Sequence, residues 1–260
     1  MIWAQRRRMT YMGGLLVFLV VVGLGLVRKA TNVEPTCFDN KKNGGEVGVD
    51  CGGSCLQYCP NELADPKLRW ARSFEITPGI VHAVAYIEHS YPASSAREVK
   101  YLFKLYDEKN SLITERTGTT YLGPMGRTAI VETLIPTGNS TVATTRFFFL
   151  PPIPWEKTDE VFSQVVVKTD RNILENFSEG TRLTVTLENL SRYTFTNIDA
   201  VAILYDNNDN AITTSKILMP TLDALARQTI YFTWPYSIEK ESVRSIEVVP
   251  RYNPFSATAL

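Results

Sequence analysis

Val99-Lys100-Tyr101-Leu102-Phe103-Lys104-Leu105 sets an apolar side chain at every odd position and gives Lys100 and Lys104 to the other parity. Successive side chains of an extended strand point to opposite faces, so this spacing predicts a strand with one buried and one wet face. The pattern returns in Leu183, Val185 and Leu187, separated by Thr184 and Thr186, and again in Ile230, Phe232 and Trp234. Thr, Val, Ile, Tyr and Phe fill these runs, and such residues suit a pleated, half-buried surface. From residue 67 onward no long stripe with the helical period competes with them.

Working outward, the stretch is duplicated. Leu105-Tyr106-Asp107 recurs as Leu204-Tyr205-Asp206, and Ile113-Thr114 as Ile212-Thr213, both at an offset of 99. Arg127-x-x-Ile130 recurs as Arg227-x-x-Ile230 at an offset of 100, which one inserted loop residue accounts for. Asp107–Asn110 and Asp206–Asn210 read as hairpin turns, because Asp and Asn tolerate left-handed backbone angles. Pro151-Pro152-Ile153-Pro154 cannot sit inside a sheet, so a boundary falls just after it. The expected fold is all-β: two tandem immunoglobulin-like β-sandwiches, residues 67–157 and 158–260. They follow a cytoplasmic tip and transmembrane helix within residues 1–29 and a short disulfide-rich module over residues 30–66.

Phe103-Lys104-Leu105-Tyr106-Asp107 spells the motif of the FxLYD-type β-sandwich domains, which this part of the chain resembles. The second copy keeps Leu204, Tyr205 and Asp206 but has Ala202 where the first has Phe103. The resemblance implies a β-sandwich fold and a place on the envelope of a bacterium or archaeon. It carries over no catalytic residue. The motif residues of both copies are therefore read as structural, for packing and turn formation.

The N-terminus sets the expected compartment. Arg6-Arg7-Arg8 precedes a run from Tyr11 to Val27 without a charged residue. A helix over residues 11–27 would cover roughly 25 Å, the short end for a membrane span, with Trp3, Tyr11, Arg28 and Lys29 as interfacial anchors. A cleaved secretory signal shares the basic start and apolar middle, but Leu26-Val27-Arg28-Lys29-Ala30 offers no small-x-small cleavage site. The expectation is an uncleaved single-pass anchor in the cell membrane. The slight excess of basic residues before the run puts the N-terminus in the cytoplasm and the bulk of the chain outside.

Cys37, Cys51, Cys55 and Cys59 fall in a glycine-rich segment too short to bury a core. Their spacing lacks the paired C-x-x-C knuckles of zinc ribbons, so all four are disulfide candidates, with three pairings open. Disulfides imply an oxidising compartment. Asp39, Asn43, Glu46 and Asp50 could offer oxygens to Ca²⁺, although Asp and Asn also shape turns by bonding their own backbone, and that second reading is preferred. This segment resembles a short cysteine motif of secreted bacterial surface proteins through Asp39, Asn43, Glu46 and Val49-Asp50-Cys51-Gly52-Gly53, departing from it at Asn40 and Gly48. The resemblance implies an extracytoplasmic setting.

Composition closes off other classes. With 27 basic and 27 acidic residues the formal net charge is zero, which excludes the strongly basic footprint of a nucleic-acid binder. Hydrophobic residues make up 44% of the chain, too many for a disordered protein. His82 and His89 have no carboxylate or Cys at ligand spacing and read as surface residues. No Walker, G-x-G-x-x-G or G-x-S-x-G pattern occurs. The sequons at Asn139, Asn176 and Asn189 matter only in a glycosylating host. The expected function is that of a membrane-anchored, extracytoplasmic scaffold or adhesion-type protein. It would be non-enzymatic and cofactor-free, and it would bind another envelope protein or itself. The alternative is an envelope substrate-binding subunit or enzyme with its site between the two sandwiches, near residues 151–160.

Overall fold

The computed structural model describes residues 3–31, 34–124, 126–158, 162 and 167–260. The chain divides into two compact units, Met1–Cys55 and Leu56–Leu260.

In the first unit, α1 (Trp3–Thr31) is one continuous helix. Within its stretch Gln5–Arg28 (24 residues), an 18-residue window has mean hydropathy 2.3 and no part of that window is buried by protein. At about 1.5 Å per residue such a stretch covers roughly 36 Å, enough for a hydrocarbon core of about 30 Å. The helix therefore extends on both sides beyond the uncharged run. Residues 34–55 form a chain of tight turns, with left-handed backbone at Asn40 and Asp50. Gly53 shows why glycine is needed here: a Cβ would lie 2.0 Å from the Gly45 carbonyl oxygen.

Among the described residues, the second unit holds all the strands. Those of the first copy are β1 (Lys67–Thr77), β2 (Ile80–His89), β3 (Ser94–Tyr106), β4 (Leu112–Leu122), β5 (Gly126–Pro136), β6 (Thr144–Leu150) and β7 (Trp155–Lys157). Those of the second are β8 (Val167–Phe177), β9 (Gly180–Asn189), β10 (Tyr193–Tyr205), β11 (Ala211–Leu222), β12 (Arg227–Trp234), β13 (Ser245–Arg251) and β14 (Thr258–Ala259). In the first copy β2 lies between β1 and β5, and β3 lies between β4 and β6, with β7 on the start of β3. The second copy repeats this strand for strand: β9 between β8 and β12, β10 between β11 and β13, and β14 on the start of β10. Every pairing is antiparallel. The molecule is thus all-β after its N-terminal helix, as the alternating runs and the repeat predict.

Each sandwich closes on its own core. Val99, Tyr101, Phe103 and Leu105 of β3 pack with Ala83, Ala85 and Ile87 of β2 in the first. Ala200, Ala202 and Leu204 of β10 pack with Leu183, Val185 and Leu187 of β9 in the second. Tyr58 and Leu63, ahead of β1, join the first core, and Tyr58 donates its N–H to the Trp155 carbonyl (2.9 Å).

A third apolar cluster lies between the sandwiches. Phe74, Val84, Tyr86, Ala129 and Val131 from the outer face of β1-β2-β5 meet Val201, Ile203, Ala211 and Val249 from β11-β10-β13. The four sheets consequently stack in the order β4-β3-β6, β1-β2-β5, β11-β10-β13, β12-β9-β8. The two inner layers have both faces covered. Their central strands show it in sequence, because Ala83–Ile87 and Ala200–Leu204 are unbroken apolar runs buried at every residue. Strands covered on both faces lose the polar half of the alternation.

Candidate functional site

The cysteine module is built around its carboxylates. Cys37 is joined to Cys55, and Cys51 and Cys59 are oxidised as well, so no thiol is free. Asp50 accepts the N–H groups of Asp39 (3.0 Å) and Asn40 (3.0 Å). Glu46, nearly buried, accepts those of Asn43 and Asp50, both at 3.2 Å. Asp39 accepts the N–H of Lys41 (2.9 Å) and the Asn43 amide (2.8 Å). These bonds hold its carboxyl below the usual carboxylate range, with the Asn43 amide as the largest cause. The four residues proposed for Ca²⁺ therefore do come together, with their carboxylates turned onto backbone donors. Cys37, Glu46 and Cys55 also place potential metal-ligand atoms within 4.8 Å of one another, but the disulfide removes both thiolates.

The repeat-motif residues fall in the cores, the turns and the seam. Phe103, Leu105 and Leu204 are completely buried. Asp107 accepts the Ser111 N–H (2.7 Å), and Asp206 accepts those of Asn208 and Asn210 (both 2.8 Å), each closing the turn after its strand. The two motif tyrosines diverge. Tyr106 lies half-buried under the Arg146 guanidinium, 4.9 Å from the ring centre. Tyr205 instead reaches into the seam between the sandwiches.

That seam is bordered by polar side chains from both sandwiches. Glu247 of β13 accepts hydroxyl bonds from Tyr86 (2.5 Å) and Tyr205 (2.9 Å), one from each sandwich. Burial first, and the neighbouring carboxylate second, raise both phenols well above their ordinary value, so both stay protonated as donors. At the other border Arg251, almost fully buried, donates to Thr120 Oγ1 (2.5 Å) and Asp199 (3.4 Å), while Tyr121 donates to the Arg251 carbonyl (2.5 Å). Arg72 of the first copy bonds the Ala211 carbonyl and Asn210 Oδ1, both at 3.2 Å. An apolar strip with hydrogen-bonded polar borders has the anatomy of an interface, with Arg251 Nε left buried and without a hydrogen-bond partner.

A cavity of about 310 Å³ opens beside this seam, lined by Tyr121, Pro124, Arg127, Glu247, Pro250 and Tyr252. A space between the sandwiches thus exists along the β4–β5 connection and the start of β8; of the expected site at residues 151–160, residues 159 and 160 lie outside the described residues.

The histidines require a correction. His89 is buried, not on the surface: it stacks on Trp155 (4.4 Å between rings) and its Nε2 lies 2.9 Å from Ser94 Oγ. Burial drives its pKa from 6.5 to about 4, which keeps the imidazole neutral. Ser94 is completely buried too, and His89 Nδ1 has no hydrogen-bond partner, so the Ser–His contact lacks a carboxylate to orient the imidazole, while His89 also borders the cavity beside the seam. His82 is half-buried. Two sequons are also occupied structurally: Asn189 is fully buried with its amide on Tyr193 O (2.7 Å), and Asn176 donates to Ile238 O (2.9 Å).

The seam itself was not anticipated from the sequence, although the unbroken runs Ala83–Ile87 and Ala200–Leu204 carried the signal. It leaves two outer faces open. On β4-β3-β6, Phe148 stands beside Leu102 among Lys100, Lys104 and Arg146. On β12-β9-β8, Tyr231, Thr184 and Ile173 form one row across the sheet. Arg182 lies across the rings of Phe177 (4.7 Å) and Tyr231 (5.8 Å) on this face.

No known protein-family profile matches the chain, and no curated protein is similar to it in sequence. Among solved structures, one match is the N-terminal CBM22-1-CBM22-2 tandem domain of Xyn10C from Paenibacillus barcinonensis. It shows 9% identity, covering 73% of this chain and 78% of that one, with a TM-score of 0.19.

Proposed function

We propose that the protein is a single-pass, membrane-anchored scaffold of the cell envelope, whose fused sandwiches stand in an extracytoplasmic, oxidising space and bind other proteins. One observation carries the reading: the seam welds both sandwiches into one four-layered body and leaves an exposed sheet face at each end. Such a body presents two fixed surfaces to partners. The apolar helix Gln5–Arg28 supports the anchor, and the four oxidised cysteines support the compartment. The FxLYD-type resemblance of Phe103–Asp107 belongs to the same proposal, since it points to envelope domains without catalytic residues. A binding role rather than an enzymatic one fits a buried Ser94–His89 pair and carboxylates engaged in turns and seam bonds. The test is protease treatment of intact cells producing the full chain with a tag after Leu260, followed by crosslinking and recovery through the tag. Loss of the tag to protease and recovery of crosslinked envelope protein are expected. A protected tag would overturn the topology, and recovery of the uncrosslinked chain alone would overturn the scaffold.

A further inference from the structure

The two sandwiches differ at the end where the first strand turns into the second. In the first copy a cavity of about 340 Å³ opens there, between the β1–β2 turn and the β5–β6 loop. Val81 and Val142, which pack in and against the first core, give it apolar lining. Ser73, Glu75, Thr137, Asn139, Ser140 and Thr141 give it polar lining, and among the described residues none of these six side chains makes a hydrogen bond or ion pair. Thr137 is only 7% exposed, so its unpaired hydroxyl is not an ordinary surface group. We propose that this cleft binds a saccharide, seating one sugar unit between the two loops. The proposal goes beyond the scaffold reading and does not depend on it.

The second copy serves as an internal control, because it closes the same place with its own side chains. Ser73 pairs with Ala83 and Glu75 with Val81, and at the matching positions Leu174 pairs with Leu183 and Asn176 with Thr181. Val81 and Thr181 in turn pair with Ile135 and Trp234, so Thr137 corresponds to Tyr236 and Asn139 to Ile238. In the second copy Leu174 and Tyr236 pack against the core, and Ile238 is part of it. Asn176 donates to the Ile238 carbonyl (2.9 Å), and the Ile238 N–H donates to the Thr181 hydroxyl (2.9 Å). That hydroxyl lies 2.7 Å from Asn176 Oδ1, and the Tyr236 hydroxyl lies 2.7 Å from Thr213 Oγ1. Where the second copy has leucine, isoleucine and a bonded amide, the first has small polar groups, a carboxylate and a cavity.

The cleft is held in shape without a ligand. Thr137 donates its N–H to the Gly79 carbonyl (2.8 Å), which clasps the loop to the turn. Gly79 has φ +76°, and a Cβ there would lie 2.5 Å from the Gly138 carbonyl oxygen, so the approach requires glycine. A preformed site spares a ligand the ordering of two loops. The lining then selects the chemistry. An anion would face Glu75, the one charged residue among the lining residues, with no cation to offset it. An apolar molecule would strip water from the unpaired hydroxyls and the carboxylate. An ammonium group donates three hydrogen bonds and accepts none, which leaves the Asn139 amide and most hydroxyl protons unanswered. Sugar hydroxyls both donate and accept, as Ser73, Thr137, Ser140 and Thr141 do, and two neighbouring ones can donate to the two oxygens of Glu75. The volume falls within the range of small-molecule sites, roughly 300–1,000 Å³.

Saturation-transfer NMR on the full chain in a sugar-free detergent tests the proposal. The probes are glucose, galactose, mannose and N-acetylglucosamine, each as the free sugar and as a linked trimer, with methylammonium as the cationic comparison. At least one sugar is expected to bind, more tightly as the trimer if its source is a glycan chain and equally well if it is the free unit. Glu75→Gln keeps the shape and removes the charge, and it should weaken binding by about tenfold or more. Asn139→Ile installs the residue of the second copy and should weaken it at least as much. Both positions are exposed, and unchanged circular dichroism and melting would show that each variant folds. Glu175→Gln, an exposed carboxylate of the second copy, should bind as the wild type does. Failure of every sugar to bind, preference for methylammonium, or sugar binding that neither Glu75→Gln nor Asn139→Ile weakens would each overturn the proposal.

Discussion

Ile203 offers a direct test of the seam. It sits on β10, is completely buried, and belongs to the cluster between the sandwiches, whereas its neighbours Ala202 and Leu204 face the core of the second sandwich. Truncating a buried Ile to Ala costs roughly 2–5 kcal/mol. In a body of this size each kcal/mol moves the melting temperature by about 2–4 °C, so Ile203→Ala should melt some 4–20 °C below wild type. Ile203→Asp separates local damage from loss of the seam. An unpaired carboxylate held there would cost several kcal/mol, and opening the seam relieves that cost without disturbing either sandwich core. Calorimetry of the full chain in detergent should therefore show one cooperative transition for wild type and two for Ile203→Asp. Leu218→Asp on the adjacent strand β11, at a residue 58% exposed, should stay within about 0.5 kcal/mol of wild type. One unshifted transition in Ile203→Asp would refute the four-layered stack.

Other outcomes follow from single residues. His89 has its folded pKa displaced from 6.5 to about 4, so between those values the unfolded chain binds a proton that the folded chain refuses. Its contribution is intact above pH 6.5 and declines as the pH falls toward 4, by up to about 3 kcal/mol. His89→Phe keeps an aromatic ring on Trp155 and should flatten melting temperature against pH in that window, and an unchanged slope would clear His89 of the effect. Leu134 holds a left-handed φ of 55° while 65% exposed. Because that conformation strains a side-chain-bearing residue, Leu134→Gly should raise stability in urea by about 0.5–1 kcal/mol and Leu134→Ala should not. Cys37 and Cys55 close a loop with a sequence separation of 18, a constraint worth about 3 kcal/mol to the module. Cys37→Ser should open residues 34–55 to limited proteolysis, and protection equal to wild type would count against that figure.

What the sequence discloses depends on how many faces of a strand are wet. Val99–Leu105 shows its strand because Lys100 and Lys104 mark an open face, and the same wetness makes Thr184 and Thr186 legible. The hairpin turns are legible because Asp107 and Asp206 act locally, on N–H groups within four residues. His89 deceives because its burial comes from Trp155, a residue of the last strand of its copy. The seam is harder still, since Val84 and Tyr86 are covered by residues more than a hundred positions away. Comparison of the copies recovers it: Val84, Tyr86, Ala129 and Val131 in the first correspond to Thr184, Thr186, Thr229 and Tyr231 in the second. Duplication supplied the same outward positions twice, and only one set is apolar. The converse holds on the other face, where Asp199, Val201 and Ile203 answer Lys100, Leu102 and Lys104. Each copy thus carries one apolar and one polar outer face, on opposite sheets. Two such modules can bury their apolar faces in a single arrangement, first copy by its β1-β2-β5 sheet and second by its β11-β10-β13 sheet. The order of the four layers is therefore written in which copy has apolar residues where the other has outward threonines and lysines.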